Sequence, residues 1–166
     1  MIQVYTGNGK GKTTAAIGLA LRALGAGRRV YMAQFIKDGD SSEAAPLRAA
    51  GADVEQFGRG MILGREVAAE DRAEAARGMT VVGGHLDRKD FDLVVMDEAN
   101  VAVKLGLVDI DLLIDLMKST PAEVELVITG RDADPQVLEA ADLVTEMREV
   151  KHYFTQGVDA RLGIEY

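Results

Sequence analysis

The residues of this chain with chemistry to offer begin at Thr6-Gly7-Asn8-Gly9-Lys10-Gly11-Lys12-Thr13-Thr14. Three glycines at alternate positions lead into a Lys-Thr pair, and Ala15-Ala16-Ile17-Gly18-Leu19-Ala20-Leu21 then reads as a helix. In such a loop the backbone N–H groups and the helix N-terminus point at anionic oxygens, a lysine adds charge, and a threonine hydroxyl can hold Mg²⁺. The spacing departs from the general pattern G-x-x-x-x-G-K-[ST]: Thr6 stands where the first glycine belongs, and Gly7 and Gly9 supply the turn. An apolar strand, Met1 to Tyr5, precedes the loop and the helix follows it, so the loop is read as the cradle of a nucleoside triphosphate.

A second group lies at the end of Leu93-Val94-Val95-Met96-Asp97-Glu98, four apolar residues followed by two acids. A buried strand of this kind delivers a carboxylate to its carboxyl end, where it reaches Mg²⁺ directly or through water. Thr13 and Glu98 are the expected metal contacts, with Asp97 as the more remote or water-mediated partner. Thr129-Gly130-Arg131 ends a later apolar run, so Arg131 either forks onto a phosphate or pairs at the surface with Asp132 or Asp134. Lys151 and His152 follow a strand end and could reach the same crevice. His85 and His152 are the only histidines, and both read as packed or solvated side chains. No general base with an orienting partner is apparent, which suits a reaction without proton transfer.

These residues need elements to position them. At 166 residues and 48% hydrophobic content the chain is expected to fold as one domain, residues 1–166. Strands are expected at 29–35, 53–57, 91–96, 123–129, 144–150 and 161–166, in addition to the first. Helices are expected from Ser42 as a cap to about Gly51, over 66–87 (weakened by Gly78, Gly83 and Gly84), over 100–107 and 109–117, and from Pro135 to Ala141. The glycine-rich stretch 58–65 reads as a loop with a greasy tip. Strands alternating with helices predict an α/β fold of the three-layer, RecA-like P-loop class, with a mostly parallel central sheet and its site at the strand carboxyl ends.

Charge is unevenly distributed. Residues 1–37 hold Lys10, Lys12, Arg22, Arg28, Arg29 and Lys37 and no acid, leaving 13 of the 19 basic and all 27 acidic residues to the remainder. The basic excess is expected around the phosphate loop, and the acidic body argues against nucleic-acid binding. The absence of cysteine excludes disulfides, thiol nucleophiles and Cys-ligated metals, and fits a reducing cytoplasm. Neither a membrane-spanning run nor a signal peptide is expected.

The assembled residues resemble the P-loop corrinoid adenosyltransferases. The similarity rests on Tyr5 to Ala16, on Gln34-Phe35-Ile36-Lys37, on Met96 to Ala102 with Gly106-Leu107, on Val127 to Arg131, on Ala141 to Met147 with Val150-Lys151-His152, and on Gly163 to Tyr166. Thr6 in the first place of the loop is itself a feature of that family. The resemblance implies ATP as co-substrate with Mg²⁺, and a reduced corrinoid whose Co(I) takes the 5′-deoxyadenosyl group and releases triphosphate. It further implies a separate flavoprotein that reduces Co(II), a homodimer, and no nucleic-acid or membrane partner. Lys12 and Glu98 become the candidate catalytic residues. Thr6, Gly7, Asn8, Gly9, Lys10, Gly11, Lys12, Thr13, Thr14 and Arg131 become the triphosphate contacts, and Met61 and Leu63 the corrinoid side. Two departures stand out: family members carry a segment before the first strand that folds over the site, and Gly-Phe-Thr-Trp where this chain has Gly60-Met61-Ile62-Leu63. An ATP-hydrolysing switch of the recombinase type and a non-catalytic corrinoid carrier are the competing readings.

Overall fold

The computed structural model describes residues 1–39, 41–60, 62 and 65–165. Six strands form the sheet: β1 (Ile2–Thr6), β2 (Val30–Phe35), β3 (Asp53–Phe57), β4 (Leu93–Asp97), β5 (Glu125–Thr129) and β6 (Leu143–Glu146). Their order is β3-β2-β4-β5-β1-β6, and every pairing is parallel. The helices are α1 (Lys12–Gly25), α2 (Ala44–Ala49), α3 (Ala69–Arg88), α4 (Ala99–Lys104), α5 (Ile110–Ser119) and α6 (Pro135–Ala140).

Alternation along the strands sends side chains to two separate cores. Val30, Met32, Leu93, Val95 and Val127 pack with Ala16, Ala20 and Leu47 of α1 and α2 on one face. Tyr31, Ala33, Phe35, Val94, Met96, Leu126 and Ile128 pack with α3, α4, α5 and α6 on the other. Because both faces are covered, β2 and β4 are buried at every residue, as a parallel sheet between helical layers requires. The connections leaving β1 and β2 run over one face and those leaving β3, β4 and β5 over the other. The carboxyl ends of β1 and β5, and of β4 and β2, are therefore points where the chain splays apart and a ligand can enter.

Local chemistry sets the helix boundaries. Asp109 and Asp134 each accept a hydrogen bond from the N–H two residues on, both at 2.9 Å, and Pro135 occupies the first turn of α6. The cap of α2 is Glu43 and not Ser42, because residues 42 and 43 form a turn ahead of the helix. β6 starts one residue earlier than expected and stops at Glu146, where the backbone leaves the sheet to pack on the loop after β1. The strand expected over 161–166 is a turn through residue 165: Gly163 has φ 73°, and the N–H groups of Ile164 and Glu165 both donate to the Arg161 carbonyl. Tyr166 lies outside the described residues, as do Met61 and Leu63.

The basic excess of residues 1–37 does not surround the loop as a whole. Arg22 lies in the last turn of α1, and Arg28 and Arg29 follow that helix, roughly 20 Å from its start at 1.5 Å per residue. Arg29 pairs with Asp92 at 2.9 Å, joining the amino ends of β2 and β4. Among the described residues no helix is long and apolar enough to cross a membrane.

α3 runs unbroken through Gly78, Gly83 and Gly84. A Cβ on Gly78 would lie 2.8 Å from Phe57 Cγ and 3.0 Å from Phe35 Cε1, so this glycine lets the helix sit directly on β2 and β3. Gly83 has nothing within 4 Å of that position. Gly83→Ala is expected to stabilise the fold by roughly 0.5–1 kcal/mol. Gly78→Ala should instead destabilise it by about 1–3 kcal/mol, overpacking outweighing helix propensity. Urea unfolding midpoints of the two variants check the opposite signs.

Candidate active site

The loop between β1 and α1 is shaped from behind by the exit of β6. The Gly9 N–H donates to the Met147 carbonyl at 2.6 Å, and the Met147 N–H donates to the Thr6 carbonyl at 2.8 Å. A Cβ on Gly7 would lie 2.5 Å from the Met147 carbonyl oxygen, and one on Gly9 would lie 2.6 Å from it and 2.9 Å from the Arg148 carbonyl carbon. This contact is why glycines fall at 7 and 9 and not one residue earlier. Thr6 is buried, and its hydroxyl accepts the Ala133 N–H at 3.3 Å. Gly11 caps α1 at φ 121°, turning the chain into the helix with the Lys12 and Thr13 N–H groups in its first turn.

Lys12 is folded over the loop. Its ammonium donates to the carbonyls of Gly7 and Gly9, both at 2.8 Å, and only 7% of the residue is exposed. Burial, and then the charge of Arg131, hold its pKa below the usual lysine value. Lys10 points elsewhere. It donates to Glu165 at 2.7 Å, to the Ile164 carbonyl at 2.5 Å and to Tyr153 at 3.2 Å, binding the loop to the segment beyond β6. Asn8 and Thr14 are exposed on the rim of the loop.

The carboxylates meet the loop from β4. Asp97 has no exposed surface, and its Oδ1 accepts the hydroxyls of Thr13 at 2.8 Å and Thr129 at 2.7 Å. Its Oδ2 receives no directed hydrogen bond but lies 3.0 Å from the Lys37 ammonium. A carboxylate only accepts, so the Thr13 proton is turned toward Asp97 and the free lone pairs of that hydroxyl face outward. Glu98 follows in a left-handed conformation, φ 60°, and its N–H donates to the Thr129 hydroxyl at 3.0 Å. Burial first, and then Asp97, push the Glu98 carboxyl above its usual pKa, against the charges of Lys37, Lys12 and Arg131. Gly130, at φ 132°, lies against Asn100, where a Cβ would come within 2.9 Å of the Asn100 Cβ. Arg131 leaves that turn exposed, while Asp132 pairs with Lys104.

The structure thus brings Thr6, Gly7, Gly9, Gly11, Lys12, Thr13, Asp97, Glu98 and Arg131 to one rim. Lys10 is turned away from it, and Met61 and Leu63 lie outside the described residues. His85 packs between the rings of Tyr31 and Phe91, and His152 caps the short 3₁₀ turn Tyr153–Gln156 through its Nδ1. Sequence reading counted Lys37 only within the basic excess around the loop, and gave no role to Thr129 or the Met147 backbone. The alternate glycines were the one signal of the last, since they report a close neighbour without saying which.

The family described as ATP:corrinoid adenosyltransferase BtuR/CobO/CobP matches residues 1–166. The chain belongs to this family. It is 39% identical over 169 residues to a corrinoid adenosyltransferase of Pseudomonas aeruginosa, covering all of this chain and 83% of that protein. It is 35% identical over 167 residues to one of Escherichia coli, covering all of this chain and 85% of that one. A Salmonella typhimurium relative, also named corrinoid adenosyltransferase, is 35% identical over 171 residues, with the same coverage.

In this adenosyltransferase fold the donor set suits magnesium. Thr13 offers outward lone pairs because Asp97 Oδ1 holds its proton, and Glu98, the residue after Asp97, offers a half-buried carboxyl whose charge is penalised by burial and by Asp97. One or two carboxylates with a hydroxyl, completed by phosphate oxygens, is a usual magnesium environment.

The loop's dependence on β6 is testable at Gly9. Gly9→Ala is expected to lower ATP affinity at least about tenfold, the clash with Met147 forcing the loop out of shape. Gly18→Ala, on the exposed side of α1 with nothing within 4 Å, should leave it unchanged. Calorimetric ATP titrations on both variants, with far-UV circular dichroism as a fold control, read the difference.

Proposed function

We propose that this chain transfers the 5′-deoxyadenosyl group of ATP to the Co(I) of a reduced corrinoid, cobalamin or a cobyrinate precursor, in the synthesis or salvage of adenosylcobalamin. The observation that carries this reading is the Thr13–Asp97 contact beside a loop closed around Lys12, in a chain matched by the family from end to end. Co(I) is a nucleophile with no proton to lose. Its electron pair forms the cobalt–carbon bond as the bond from C5′ to the triphosphate oxygen breaks, and triphosphate leaves with the electron pair of that broken carbon–oxygen bond. The protein therefore supplies position and leaving-group stabilisation, and no base.

Loop N–H groups and the start of α1 bind the triphosphate oxygens, with Lys12 and Arg131 adding charge. Thr13 and Glu98, with Asp97 behind Thr13, would hold Mg²⁺, which would supply further positive charge to the leaving group. Asp97 fixes the Thr13 hydroxyl, and the half-buried Glu98, whose charge burial and Asp97 both disfavour, has most to gain from a cation beside it. The segment 58–65, which carries Met61 and Leu63, forms the corrinoid side. In support, its first residues lie over the carboxyl end of β2: a Cβ on Gly58 would meet the Ile36 backbone, and one on Gly60 the Asp38 carboxylate.

The finer assignments follow from the same reading. The chain works in the cytoplasm with a separate flavoprotein that delivers Co(I), and it forms a homodimer. Apolar side chains left exposed by β6 and the segment after it, among them Leu143, Val144, Val150, Phe154 and Leu162, support the dimer.

The test is to incubate the protein with Mg-ATP and chemically reduced cobalamin, then assay adenosylcobalamin and intact triphosphate. Both products are expected in equal amounts, and Lys12→Ala and Glu98→Ala should each lower kcat/KM by about 10²-fold or more. ADP and phosphate without a cobalt–carbon product would overturn the proposal in favour of an ATP-hydrolysing switch.

A further inference from the structure

The chain leaves β2 through an unusual turn. Ile36 has φ 67°, a left-handed conformation that a β-branched residue rarely adopts and that tends to mark functional sites. The turn is held from β3: the Ile36 N–H donates to the Phe57 carbonyl at 3.2 Å. Behind it sits Gly58, where a Cβ would lie 2.4 Å from the Ile36 carbonyl carbon and 2.7 Å from the Lys37 nitrogen. The bend brings Lys37 back across the sheet rim, its ammonium 3.0 Å from Asp97 Oδ2 and 2.8 Å from Glu43 Oε1. Glu43 is fixed in turn by the fully buried Gln34, whose Nε2 donates to it at 2.8 Å. The Gln34 Oε1 accepts from Ser41 and Gln56, both at 3.0 Å.

Lys37 is therefore not a spare cation waiting for phosphate, since two carboxylates already face it. It stands on the side of Asp97 opposite the hydroxyls of Thr13 and Thr129. An ion pair that served only the fold would be complete with Glu43 and would need no strained turn to reach β4.

We propose that Lys37 is a positioning residue of the transfer site: it holds the Asp97 carboxylate in the place from which Asp97 orients the Thr13 hydroxyl toward the metal. The strained turn at Ile36 and the brace through Glu43 deliver it. Lys37 itself touches neither substrate. The inference rests on the reading of Thr13 as a magnesium contact.

The experiment measures ATP affinity by calorimetry twice for each protein, once with Mg²⁺ and once with EDTA, and compares the ratios. The wild type should bind more tightly with Mg²⁺. Lys37→Met should lower the ratio about tenfold while leaving the EDTA arm within about twofold, because the loss acts through Thr13 and not through the loop N–H groups. Lys37→Arg should keep most of the ratio. Glu43→Gln, which leaves Lys37 in place without its brace, should lower it about threefold, and decides the matter if Lys37→Met does not fold. Equal weakening in both arms, or a ratio unmoved by Lys37→Met and Glu43→Gln, would overturn the proposal and make Lys37 a structural ion pair only. A wild type with no Mg²⁺ preference would overturn the magnesium reading itself, a different result from a preference that Lys37 does not control.

Discussion

A carboxylate with no access to water must be matched by donors or charge on every side, and at the end of β4 that demand falls on Asp97. Its partners come from three directions: Thr13 from the first turn of α1, Thr129 from the end of β5, and Lys37 from beyond β2. The strand order makes this possible, because β4 lies between β2 and β5 and all three run parallel. Their carboxyl ends share one rim, so short side chains suffice to join them. Removing any one partner would leave a buried charge short of compensation, which couples the catalytic rim to the packing of the sheet.

The phosphate loop answers to a second constraint, that of space. On the side away from the rim it meets the backbone of Met147 and Arg148 so closely that side chains at positions 7 and 9 are excluded. Within that limit Lys12 folds over the loop carbonyls, and α1 can begin directly beneath. The loop is thus clasped between β6 and α1, and its glycines answer to their protein neighbours as well as to a ligand.

Much of this was legible in the chain. Continuous apolar runs ending in Thr6, Asp97-Glu98 and Thr129-Gly130-Arg131 announced buried parallel strands with polar groups at one end, Gly106 fell between α4 and α5, and Pro135 opened α6. What escaped depended on contacts between distant segments. Leu162 and Ile164 alternate like a strand, yet Gly163 turns the chain and Glu165 gathers Lys10, Tyr153 and Arg161 around itself. Lys37 gave no sign of its role, because its direction is set by a left-handed isoleucine that local propensity argues against. Clustering of basic residues in sequence was likewise only half a guide to space: Lys10, Lys12 and Lys37 stand at the loop or its rim, while Arg22, Arg28 and Arg29 lie toward the far end of α1.

The fastening of the loop also bears on how the molecule is made. β1 lies between β5 and β6, and Lys10 is bound to Glu165 across 155 residues of sequence. A ribosome releases the glycine loop well before its sheet partners and the wall behind it. The nascent chain thus carries the motif before it can form the cradle, and a product truncated before β6 would lack the Met147 carbonyl that holds Gly9 and the wall behind the loop.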